Sequence, residues 1–88
     1  MNKVELRETL ESLRTALAHL KFREPQSHDR VQQLISAIER QIDNSDDAEA
    51  GATVRQDLSG AISQFESEHP TLAGTLGRIA STLSSMGI

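Results

Sequence analysis

The sequence predicts an all-α protein of four helices, folded as two antiparallel hairpins with coiled-coil-like packing. Three observations predict it. In two separate segments, large aliphatic residues recur at intervals of 4, 3, 4 and 3, which sets them on one helical face. Pro25, Gly51 and Pro70 punctuate the chain at intervals suited to short connections. Alternating runs of β-branched residues, the mark of strands, are absent.

The first helix is expected over about residues 3–22. Leu6, Leu10, Leu13, Leu17 and Leu20 form its apolar seam, and Asn2 with Glu5 makes a box-like cap. Arg7, Arg14 and Lys21 run beside the seam as a basic stripe. Two such helices packed antiparallel would set cation against cation, so a more acidic partner suits the stripe better. The second helix is such a partner. It is expected over 28–43, capped by Ser27, with Val31, Leu34, Ile35, Ile38 and Ile42 on its apolar face. Five acids against two arginines between residues 25 and 47 give it the complementary charge.

Residues 44–52 are acidic, poor in large apolar side chains and contain Gly51, so they read as a linker between the hairpins of a single domain spanning 1–88. Thr53 opens a Thr-Val-Arg-Gln capping box, and a third helix is expected over 54–68, burying Val54, Leu58, Ala61, Ile62 and Phe65. Pro70 pushes His69 out of helical geometry and suits the first turn of a fourth helix, 70–86. That helix repeats the heptad spacing with Leu72, Leu76, Ile79, Leu83 and Met86. Gly87 fits the position just past its end. Arg78 is its one charge, and Gly74 and Gly77 lie inside it. Interior glycines weaken a helix, so close approach of another helix is expected there, within the fold or across an oligomer interface.

Composition excludes several functions. With no cysteine there is no disulfide scaffold, zinc–thiolate site, iron–sulfur cluster or thiol nucleophile. A net charge of −4 argues against nucleic acid as partner, since phosphate binding needs a basic face. Phe22 and Phe65, the only aromatics, make no base-stacking platform. The charge is uneven. Residues 1–24 hold five cations and four acids, 25–68 three cations and nine acids, and the last 20 residues only Arg78. No apolar signal core and no run of about 20 apolar residues is present, so a cytoplasmic protein is expected.

The run Gln64-Phe65-Glu66-Ser67-Glu68-His69-Pro70-Thr71-Leu72-Ala73-Gly74-Thr75-Leu76, closing in Ser85-Met86-Gly87-Ile88, resembles a family of short proteobacterial proteins catalogued as a domain of unknown function. Those proteins carry a leucine-rich first helix and a closing phrase of this kind. The specific match covers about the last 25 residues, and Gly77-Arg78 departs from the pattern. The resemblance implies a small all-helical bacterial protein and carries no activity, cofactor or site residue.

Candidate chemistry is thin. Glu66-Ser67-Glu68-His69 has the Glu-x-x-His spacing of di-iron bundles, but a di-iron site needs two such motifs and two further glutamates. A helix end with a solvated Glu66 is the plainer reading. Asp43 to Asp47 faintly resembles a calcium loop, yet Ala48 and Val54 stand where glycine and glutamate are required. His19 and His28 have no partner at motif spacing. No catalytic residue, cofactor or metal ligand is assigned, and no enzymatic activity is expected.

The sequence therefore predicts a non-catalytic module for helical self-association and protein interaction. A short chain completes its burial by forming a dimer or higher homo-oligomer, with an unidentified protein as a further partner. The interface candidates are the two seams: Leu6, Leu10, Leu13, Leu17 and Leu20, and Leu72, Leu76, Ile79, Leu83 and Met86. The alternative is a peripheral membrane protein inserting its nearly uncharged last helix, with Arg7, Arg14 and Lys21 adding attraction to anionic lipid.

Overall fold

The structure is a computed structural model that describes residues 3–87. Four helices follow in order: α1 (Lys3–Leu17), α2 (Pro25–Asp43), α3 (Ala48–Phe65) and α4 (Pro70–Ser85). No strand occurs among the described residues. Each helix packs on its two neighbours in a closed ring, α1 on α2, α2 on α3, α3 on α4 and α4 back on α1. The α1–α4 seam is the most sparsely packed of the four. Cross-helix pairs fix the directions. Arg7 meets Asp43 and Arg14 meets Glu39, so α2 runs antiparallel to α1. Arg30 meets Gln64 while Gln41 lies beside Gly51, so α3 runs antiparallel to α2. The result is an up-down-up-down bundle.

The core is the sum of the apolar faces. Leu6, Leu10, Leu13 and Leu17 of α1 and Leu72, Leu76, Ile79 and Leu83 of α4 are all buried. They join Val31, Leu34, Ile35, Ile38 and Ile42 of α2 and Val54, Leu58, Ala61 and Phe65 of α3 in one cluster. Leu20, Ile62 and Met86 pack against it half-buried. Among the described residues Val4, 63% exposed, is the large hydrophobic residue left in solvent.

Helix ends differ from the expectations, and each difference has a local cause. α1 stops at Leu17 instead of continuing to 22. Its last turn tightens through i→i−3 bonds from the N–H groups of Ala18, His19 and Leu20, and the chain then leaves the helix. α2 begins at Pro25, three residues before the expected start. Proline's missing N–H and fixed φ suit a first helical position, and Glu24 before it is extended. Ser27 is therefore not a cap. It is buried inside the first turn and its hydroxyl accepts from Gln64 Nε2 at 3.2 Å. Most of the expected linker is helix: α3 starts at Ala48, capped by Asp47, whose carboxylate accepts from the Ala50 N–H at 3.0 Å. Thr53 lies within the helix and donates back to the Glu49 carbonyl at 3.2 Å. Non-helical backbone between the hairpins shrinks to residues 44–47. α3 stops at Phe65, three residues short of the expected end. His69 does break the chain before Pro70, and Gly87 takes a left-handed φ of 74° just beyond α4. The expected cap at Asn2 lies outside the described residues.

The glycines of α4 are not sites of close approach within the chain. A Cβ built on Gly74 or Gly77 meets nothing within 4 Å. Close approach belongs to α3, where a Cβ on Gly51 would come within 3.1 Å of Gln41 Nε2 and one on Gly60 within 3.0 Å of Arg30 Nη2.

Candidate functional site

The two heptad seams were expected to be interfaces, and the fold brings them into one interior. Leu6, Leu10, Leu13 and Leu17 project from α1 into the core, Leu76 and Ile79 are fully buried, and Leu72 and Leu83 nearly so. Leu20 has left the helix and packs on the core from the α1–α2 connection, and Met86 does so from the end of α4. Within one chain both seams are buried in the core shared by all four helices, α1 chiefly against α2 and α4 chiefly against α3. Along the α1–α4 junction the two helices leave a shallow cleft of about 320 Å3, lined by Thr9, Ser12, Leu13, Ala16, Thr75 and Arg78.

Two of the three stripe cations, Arg7 and Arg14, are engaged within the chain. Arg7 pairs with Asp43, and Arg14 pairs with both Glu39 and, at 3.2 Å, Glu11. The hydrogen bond to Glu39 raises the Arg14 pKa above its ordinary value. Partial burial opposes that rise, and the attraction of the Glu39 and Glu11 charges reinforces it. Lys21 lies beyond the end of α1, in the connection. The acidic second helix thus supplies the complement that the stripe calls for.

Each end of the bundle has its own fastening. At one end the α1–α2 connection meets the α3–α4 turn. The Phe22 ring lies 4.8 Å from that of His69, 5.4 Å from Phe65 and 6.3 Å from His28, in tilted and edge-on arrangements. The Arg23 N–H donates to Glu68 Oε1 at 2.9 Å, joining the same two connections. His69 Nε2 is buried without a hydrogen-bond partner and lies 3.7 Å from that glutamate. Glu66, the other half of the Glu-x-x-His spacing, is exposed just past the end of α3. Among the described residues no group of three or more His, Asp or Glu side chains is placed to hold a metal ion.

At the opposite end, α2 and α3 are joined by residues 44–47 alone. Gln41 is buried, and its Nε2 donates to the carbonyls of Asp47 at 3.1 Å and Asn44 at 3.5 Å, closing the turn from inside. Sequence reasoning missed both fastenings. Gln41 stands beside Ile42 and Ile38, where its burial has a weak local cue, and Phe22 and Phe65 meet across 43 positions of chain with no cue at all.

Residues 6–88 match the model of a protein family described as a domain of unknown function, DUF4404. The chain belongs to the DUF4404 family. The match runs through all four helices, so the family extends well beyond the closing phrase that first suggested it. No curated protein and no solved structure matches the chain. For this DUF4404 chain, no helix among the described residues is long and apolar enough to cross a membrane.

Proposed function

We propose that the protein is a non-catalytic module for helical self-association and protein interaction. One observation carries the reading: the two regular heptad seams belong to different hairpins and are buried in one core that the two hairpins build together. A face that satisfies a sister hairpin in the same chain equally satisfies that hairpin in a second chain, because the chemistry of the contact is identical. Among the described residues Val4 is the one exposed large hydrophobic, whereas lasting interfaces need a contiguous apolar patch. Other proteins would then engage polar helix faces in weaker, transient contacts.

The peripheral membrane alternative has a structural requirement. Leu72, Leu76, Ile79 and Leu83 face the core, so α4 would have to leave the bundle before it could enter lipid.

Sedimentation of the full-length chain over a wide concentration range, each sample warmed briefly beforehand so that its forms re-equilibrate, tests the proposal. A reversible rise in mass with concentration is expected. A strict monomer throughout overturns the self-association reading.

A further inference from the structure

We infer that the partner is a second copy of this chain and that the two copies associate by exchanging hairpins about residues 44–47. The inference rests on the self-association reading and specifies its interface. In the exchanged dimer, α1 and α2 of one copy pack on α3 and α4 of the other. Each half of the dimer is then the bundle already described.

Three features of the molecule lead to it. First, the hairpins are separable units linked once. Arg7–Asp43 and Arg14–Glu39 lie within the first hairpin, and the Phe65–His69 ring contact at 6.4 Å lies within the second. The covalent link between hairpins is the turn 44–47 and nothing else. Second, every contact between hairpins can be remade between copies. These contacts include the seams of α1 with α4 and α2 with α3, the Arg30–Gln64–Ser27 hydrogen bonds, the Arg23–Glu68 hydrogen bond, and the packing of Phe22 on Phe65 and His69. Third, what distinguishes the closed chain from the exchanged one is small and local. It comprises the Gln41 Nε2 bonds to Asn44 and Asp47 and the turn geometry they hold. Exchange of an identical element is a low-cost route to a dimer because the interface already exists. The balance is then set by protein concentration against the effective concentration of one hairpin for the other across a four-residue tether.

That tether makes the inference testable. A direct junction from Asp43 to Ala48, with residues 44–47 deleted, forbids the closed form and leaves exchange as the only way to cover the seams. A Gly-Ser-Gly insertion after Ser45 relaxes the turn and favours the closed form. Light scattering is expected to show a concentration-dependent dimer for the natural chain, dimer at all concentrations for the deletion, and a marked loss of dimer for the insertion. In a dimer assembled from isotope-labelled and unlabelled chains, methyl contacts between α1 and α4 are expected between chains. A dimer whose α1–α4 contacts are all within one chain overturns exchange while leaving self-association standing. A natural chain that stays monomeric at high concentration after brief warming to re-equilibrate it overturns both. Should the deletion variant fail to fold, the insertion decides: a dimer fraction equal to that of the natural chain overturns the inference.

Discussion

Gly74 and Gly77 sit in helical backbone with open space where a side chain would go. A glycine in a helix interior costs about 0.5–1 kcal/mol relative to alanine through the freedom it has in the unfolded chain. Gly74→Ala and Gly77→Ala are therefore each expected to stabilise the monomer by about that amount, raising the midpoint of chemical denaturation without changing its slope. A loss of stability would mean that something packs on this face. Arg14 behaves differently. Its pKa is raised in the fold, so the stability linked to its charge is present at all pH values below the ordinary arginine range. That contribution disappears only as pH climbs past the raised value. Salt, not alkali, is the variable that weakens this half-exposed pair. A double-mutant cycle of Arg14→Ala and Glu39→Ala is expected to return less than about 1 kcal/mol, falling as salt is added.

At the scale of elements, the spacing of apolar residues was the reliable signal. Every expected core position of α2 is buried, and so are eight of the ten seam residues of α1 and α4, with Leu20 and Met86 half-buried. This follows from the narrowness of the pattern: a 4, 3, 4, 3 spacing has one helical face to go to. Helix boundaries were less legible because competing caps stood within a few residues. Ser27 and Thr53 are good caps in isolation, but Pro25 and Asp47 come earlier, and a helix once begun runs through a later candidate. The fastenings were not legible because they join residues distant in the chain. α4 also carries the clearest element-level prediction. Leu76 is fully buried, so Leu76→Ala is expected to cost about 2–5 kcal/mol and Leu76→Asp to unfold the bundle, as followed by circular dichroism. A Leu76→Asp protein that stays fully helical and loses only binding to highly curved vesicles would favour the membrane alternative instead.

At the scale of the molecule, burial is collective. Each hairpin presents one apolar side, and neither has a second layer to cover it alone. A peptide of residues 1–43 and one of residues 48–88 are each expected to be largely unfolded when separate. Mixed in equal amounts, they are expected to regain helical signal together, because the missing turn contributes only the closure of a short tether. Failure to recover helix on mixing would show that the connection itself is needed to form the bundle.

The position of the single turn has one more consequence, which concerns time. The turn lies at one end, and the Phe22, Phe65 and His69 rings lock the other. A hairpin leaving its neighbour must therefore release the locked end and uncover the whole length of both seams before it meets a second chain. The barrier between the two forms is then close to that of unfolding itself. A preparation concentrated quickly in the cold would keep whatever mixture it held when the bundle last opened, and brief warming would reset it. Phe22→Ala, which loosens the locked end, should shorten that memory more than it shifts the final proportions.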